Sequence, residues 1–314
     1  LEMTPGNITW SPDGKQLAFT MFKPQNFPVI IKMPKKPKGA KWAKPARITN
    51  RLKHEADGRG YMNPGFTHIY TIPAQGGTPR QVTSGNYNHS GTLSFSPDNN
   101  FIYFSANRVE NWEYDFRNSE IYNVDIYSKT ITLLTSQIGP DFSPKVSPNG
   151  KKIAFLGYKD KSQAHQNRVL YLMDSDGKNR KVVSQKFDNS VSNISWDKSG
   201  KGLYCTYDEQ GNSKVAYITT NGKISKLSDN LGGTTIGRPY ASGSYSVANN
   251  GTLAFTHTRP EYPSELAIIR DSKPPKLITN LNEDILAHRI LGETEEVWYT
   301  STFDGRKIQG WIVK

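Results

Sequence analysis

One cysteine, Cys205, is all that 314 residues contain. A single thiol excludes an intramolecular disulfide and a thiolate-rich zinc site. Its place between Tyr204 and Thr206 reads as a packed strand side chain rather than a reactive group. No run of eighteen apolar residues occurs, so no membrane-spanning helix is expected. Apolar residues spaced at a sustained period of 3.6 between caps are missing too, which excludes a helical solenoid. Acidic side chains are the minority, 28 against 40 basic, for a formal charge of +12.

Several catalytic signatures are also lacking. No serine has glycine at both flanking positions of a G-x-S-x-G turn, the sharp elbow that would expose a hydrolase nucleophile; Ser213 has Gly211 before it but Val215 after. His54-Glu55 has no second histidine at the spacing of a zinc-protease helix. Gly58 and Gly60 lack the third glycine and the strand-to-helix setting of a dinucleotide loop. Asp174-Ser175-Asp176-Gly177 begins like a calcium loop without its closing glutamate, and reads as a hairpin turn. No active site is complete in this chain, and neither a metal nor a cofactor is expected.

What the sequence has is a repeat. WSPDGKQLAFT at Trp10–Thr20, FSPDNNFIYFS at Phe95–Ser105, VSPNGKKIAFL at Val146–Leu156, WDKSGKGLYCT at Trp196–Thr206 and VANNGTLAFTH at Val247–His257 each place a tight polar turn between two apolar strands. The last three steps between copies are 51, 50 and 51 residues, a period that signals a repeat architecture. Each copy precedes a second hairpin: His68–Thr83, Glu120–Thr135, Leu170–Ser184, Val215–Ser228 and Glu265–Thr279. Pro-Asp-Asn, Pro-Asn-Gly and Pro-Asp-Gly supply a fixed φ at one corner and a tolerated positive φ at the next, as short hairpins between twisted strands require. Four antiparallel strands repeated radially are the blades of an all-β propeller. The expected blades are 7–83, 91–135, 142–184, 192–228 and 244–279, within a propeller spanning 1–300.

Two segments break the repeat. The first blade holds a surplus at 21–66, containing Lys32, Lys35, Lys36, Lys38, Lys41, Lys44 and Arg47 among prolines and then RLKHEADGRGYMNPG from Arg51 to Gly65. The second blade has a lengthened middle connection, NRVENWEYDFRNSEIY at Asn107–Tyr122. Long excursions from compact repeats usually serve a purpose. The basic run reads first as a solvated, extended insertion, and second as a contact with another domain or an acidic partner. Nucleic acid is a weaker reading, because the aromatics here, chiefly Trp42, are too few for a base-stacking platform.

The repeat unit, the HEADGRGY insertion, NRVENWEYDFRNSEIY, LGGTTIGRPYASGSYS at Leu231–Ser246 and the exit EEVWYTSTFDGRKIQGWIVK together resemble the propeller half of the prolyl oligopeptidase family of serine peptidases, in its acylaminoacyl-peptidase-like branch. The repeat unit alone is shared with Tol-associated propellers; the exit segment is the specific part. The resemblance implies a seven-bladed propeller leading into an α/β-hydrolase domain that bears the catalytic triad. On that reading 301–314 begins the catalytic domain, the five recognisable blades belong to a larger propeller, and the chain alone is inactive. Its partners would be that hydrolase domain and short peptides, which the propeller admits while excluding folded proteins. The alternative is a self-sufficient, non-enzymatic binding propeller of the Tol-associated kind.

For a peptidase propeller, the two excursions supply the substrate-binding candidates. Glu113, beside Asp115, suits a peptide's free amine, whereas Arg117, Arg59 and Arg238 suit a carboxylate or an acyl carbonyl through directed guanidinium bonds. Tyr61, Trp112, Tyr114 and Tyr240 suit the wall of an apolar subsite. Each has a plainer reading: Glu113 with Arg117, and Asp57 with Arg59, as ion pairs holding their own loops, and Tyr61 and Tyr240 as plugs between blades. An exposed apolar patch is expected around Trp298, Trp311 and Ile312.

Overall fold

The Ser-Pro turns are closed by their own serines. In the computed structural model, Ser11 Oγ accepts from Gln16 N and donates to Asp13, Ser96 Oγ accepts from Phe101 N and donates to Asp98, and Ser147 Oγ accepts from Lys152 N and donates to Asn149. The next corner needs a left-handed backbone, met by Gly14, Asn99, Gly150, Gly200 and Gly251 at φ between 64° and 81°. Glycine bears this conformation without a steric penalty and asparagine bears it better than most residues. The second hairpins close in a parallel way. A hydroxyl near the end of the outer strand, from Thr83, Thr135, Ser184 or Thr279, accepts the amide of Ile69, Ile121, Leu170 or Leu266.

The structure describes residues 3–25, 34–43, 48–233, 243–270 and 273–314. Its first sheet contains Gly6–Trp10, Gln16–Pro24, Gly65–Pro73 and Arg80–Gln81 in consecutive antiparallel order. A second is made of Ser94–Phe95, Phe101–Ala106, Glu120–Asp125 and Ile131–Leu133, and a third of Asp141–Val146, Lys152–Gly157, Val169–Asp174 and Lys181–Val182. Ser192–Trp196, Gly202–Glu209, Asn212–Thr219 and Ile224–Leu231 then form four strands that join Tyr245–Val247, Leu253–Arg259, Tyr262–Ile269 and Lys276–Leu277 through the pair Leu231 and His257. The fold class is therefore the expected one, an all-β propeller of four-stranded antiparallel blades, five of them recognisable. The described helix is one turn, Glu283–Leu286, and no described helix is long and apolar enough to cross a membrane.

By its internal contacts the chain divides into two units, Leu1–Ala164 with Met173–Arg180, and His165–Leu172 with Lys181–Lys314. The first buries Ala18, Ile69, Ile102, Phe104 and Val124 together, and the second Val215, Leu253, Phe255 and Ala267. Full burial of an aliphatic or phenyl side chain contributes about 1.5–3 kcal/mol, and these side chains all come from the strands.

The insertion is narrower than 21–66. Met21–Pro24 continues the second strand and pairs residue by residue with Gly65–His68, so the excursion proper is 25–64. Hydrogen bonding carries the strands beyond the apolar core that marked their ends in the sequence. Gly65 makes the exit possible. Its φ is +147°, and a Cβ there would lie 2.9 Å from Pro24 Cα and closer still to Lys23 O.

Near the C-terminus, Thr294–Thr300 and Lys307–Val313 form a two-stranded sheet of their own. Gln309 Nε2 donates to Gln210 O at 3.0 Å, and the Trp311 ring lies over Gly211, where a Cβ would come within 2.5 Å of it. Trp298, Trp311 and Ile312 are nonetheless about half exposed.

Candidate functional site

In an up-and-down sheet, the connection between the second and third strands leaves from the end opposite the Ser-Pro turn. Both excursions, 25–64 and 107–119, are connections of this kind, in neighbouring sheets of one unit. Their side chains meet. Phe66, at the return of the first, packs edge-on to Trp112 of the second, with ring centroids 6.2 Å apart. The Arg51 guanidinium lies 4.2 Å above the Phe66 ring and 6.0 Å from the Trp112 ring, and donates to Gly65 O.

The first excursion folds on itself through a two-residue hairpin, Glu55–Ala56 with Gly60–Tyr61, and Met62 N donates to His54 O at 2.8 Å. Tyr61 lies against the His54 ring, at 6.2 Å, and is half exposed. Between this hairpin and the chain at 48–51 is an open cleft of about 150 Å³, walled by Ile48, Tyr61 and Met62 and edged by Arg51, Lys53 and His54. That is below the ~300–1,000 Å³ of a pocket that engulfs a ligand, and suits a single side chain.

The second excursion is a series of turns held by Asn107, whose Nδ2 donates to Asp115 O at 2.7 Å and whose Oδ1 accepts from Val109 N. Within it Glu113 Oε1 is shielded from solvent and has no hydrogen-bond partner among the described residues. Tyr114 and Phe116 point outward, 76% and 73% exposed. Arg117 pairs at 3.8 Å with Asp160, in the corresponding connection of the third sheet, and not with Glu113. The ion-pair reading of Glu113 with Arg117 is therefore corrected: among the described residues Arg117 is drawn to the Asp160 carboxylate instead. Among the described residues Asp57 and Arg59 form no ion pair either; both are exposed on the hairpin tip. Tyr61, half exposed, plugs no gap. Arg238 and Tyr240 lie outside the described residues.

Arg51 thus edges the cleft beside Tyr61 and lies 6.0 Å from the ring of Trp112, the residue before Glu113, while Arg59, Tyr114 and Arg117 are exposed. Arg51 went unnoticed in the sequence because a lone arginine in a polar loop carries no pattern. Two buried polar clusters lie next to this region. His68 and His89 face each other at 5.3 Å, and Arg108 Nη1 contacts His89 Nε2. Burial, then the nearby cationic groups, lowers the pKa of His68 to about 4 and of His89 to about 3, so both rings are neutral at pH 7. In the other cluster Asp141 takes a two-pronged contact from Arg180, at 3.0 and 3.1 Å, beside Glu120, Thr135 and Gln137.

Comparison with known proteins gives related answers. Residues 40–164 match the model of the dipeptidyl peptidase IV N-terminal region. A dipeptidyl-peptidase 5 of Porphyromonas gingivalis is 26% identical over 241 residues, covering 76% of this chain and 34% of that protein. The acylaminoacyl peptidase of Pyrococcus horikoshii superposes over 100% of this chain and 44% of its own, with a TM-score of 0.72 at 14% identity. TolB of Acinetobacter baumannii covers 86% of this chain and 52% of its own, with a TM-score of 0.55 at 20% identity. At such identities the two structural likenesses speak to the fold alone. The chain spans about a third of the length of the first of these relatives.

Proposed function

From the premise that this chain is a propeller domain of the prolyl oligopeptidase family of serine peptidases, we propose that it gates and binds short peptides for a C-terminal α/β-hydrolase domain that supplies the catalytic serine. Two connections from one end of neighbouring sheets, joined side to side, make a wall against which an extended peptide can lie, and loops on a rigid sheet scaffold commonly carry such binding. The half-exposed Trp298, Trp311 and Ile312 suit the hydrolase domain's docking face.

One observation carries the reading: the shielded, unpartnered Glu113 Oε1. A polar atom left unpaired in such a place costs about 1–3 kcal/mol, which a peptide's terminal ammonium would recover. Tyr61 and Trp112 then wall the adjoining apolar subsite, while Arg59 and Arg117 remain candidates for its outer edge. The test is Glu113→Ala in the full-length peptidase. KM for peptides with a free amine is expected to rise on the order of tenfold or more, as for a lost charge-assisted hydrogen bond, with N-acylated peptides little affected. Unchanged kinetics would remove Glu113 from the site.

Isolated, the chain is expected to hydrolyse neither peptides nor esters, and turnover in a fluorogenic assay would overturn the division of labour. A second reading is a binding propeller without a hydrolase partner, since the repeat unit alone is shared with Tol-associated propellers. A downstream G-x-S-x-G in the same reading frame decides between them.

A further inference from the structure

We propose that Arg51 is a positioning residue that makes 48–64 of the first excursion and 107–119 of the second move as one body, so that the cleft beside Tyr61 and the carboxylate of Glu113 keep a fixed spacing. This deepens the peptide-binding reading, on which its consequence for substrates rests; the mechanical claim stands on contacts alone. Arg51 belongs to the first excursion and edges its cleft. Its guanidinium covers Phe66, reaches toward Trp112 and holds Gly65 O at the strand's return. Trp112 is the residue before Glu113, in 107–118, which has turns and no strand. The planar cation therefore joins two segments that lack a shared backbone ladder. A cation lying over aromatic faces is worth about 0.5–2 kcal/mol, which corresponds to a roughly two- to thirtyfold change in local opening.

Amide hydrogen exchange on this chain tests it directly. The reporters are Arg59 and Met62 in the first excursion, bonded to Ala56 O and His54 O, and Trp112 and Tyr114 in the second, bonded to Val109 O and Asn111 O. Arg51→Ala is expected to speed exchange roughly two- to thirtyfold in both segments, and Trp112→Ala to do the same to Arg59 and Met62, which it does not touch. The double variant should add little to either single one, the sign of a shared interaction. Arg51→Lys keeps the charge without the planar face and should restore protection only in part. Amides of Phe101–Ala106 serve as the control for folding, and should be unchanged.

Loosening confined to 48–64 in Arg51→Ala, or additive effects in the double variant, would overturn the proposal. If Arg51→Ala unfolds the first sheet, the cross effect of Trp112→Ala decides alone. In the full-length peptidase, Arg51→Ala should raise KM with little change in kcat. Coupled exchange together with an unchanged KM would leave Arg51's positioning role intact and overturn its link to substrate binding.

Discussion

Asp141→Ala is expected to lower the unfolding free energy by about 3 kcal/mol, the low end for breaking a buried ion pair, because the stranded Arg180 side chain is 23% exposed. Asp141 is fully buried. Both its oxygens are held by Arg180, Oδ1 also accepts from Gln137 Nε2, and its backbone is tied to Ser119 through Asp141 N to Ser119 O and Ser119 Oγ to Asp141 O. Burial pushes the carboxyl up to about 7 against the pull of Arg180, which shows how much desolvation the guanidinium has to offset. Even the opposite strand makes room: Gly157, its register partner, would place a Cβ in collision with Asp141 Oδ1. The cluster joins the second and third sheets, since Glu120 accepts from Thr135 Oγ1 and Gln137 N beside it. Calorimetry of Asp141→Ala checks the cost, and a loss under about 1 kcal/mol would contradict it. Replacing Asp141 and Arg180 together by leucine and methionine should cost less than the single change, because no charge is then stranded.

Acid is expected to loosen the first unit through the His68 and His89 pair. Unfolded, each ring titrates near 6.5; folded, His68 titrates at about 4 and His89 at about 3. The unfolded chain therefore binds more protons between these values. The stabilisation is complete above pH 6.5 and is lost as pH falls through the folded values. For His68 alone the difference amounts to roughly 3 kcal/mol. Protonation would also set two cations against Arg108 and Lys23, the charged groups that lower these values. Asp141, with its raised pKa, works in the opposite direction over much of the same window, so the histidine contribution is read as a difference. Denaturant unfolding of the natural sequence and of His68→Gln with His89→Gln, at pH 7, 6, 5 and 4.5, should give a flatter pH dependence for the variant. Parallel curves would show that the pair does not titrate on unfolding.

Much of the fold was legible because its determinants are local. A serine that caps its own turn, a glycine or asparagine at the left-handed corner and a threonine that closes the outer hairpin all act within about sixteen residues, and each leaves a periodic mark. The strand ends were less legible. Met21–Pro24 and Gly65–Thr67 look like loop in a sequence of mixed polarity, and only the pairing of Met21–Pro24 with Gly65–His68 makes them strands. Glu120 with Thr135 and Glu265 with Thr279 form a recurrent carboxylate–hydroxyl contact that the aligned repeats contain, once one asks which polar residues keep the same phase.

Composition and periodicity determined, without coordinates, that this chain is a set of four-stranded antiparallel blades with two anomalous connections. Tertiary structure alone decided that the two connections touch, that Arg51 joins them, that Arg117 faces Asp160, and that Asp141 and Arg180 pair across 39 residues. The reason is the range of the forces involved. Turn geometry and strand alternation are set by neighbours along the chain, whereas a guanidinium finds its ring or carboxylate only after the sheets have brought distant segments together.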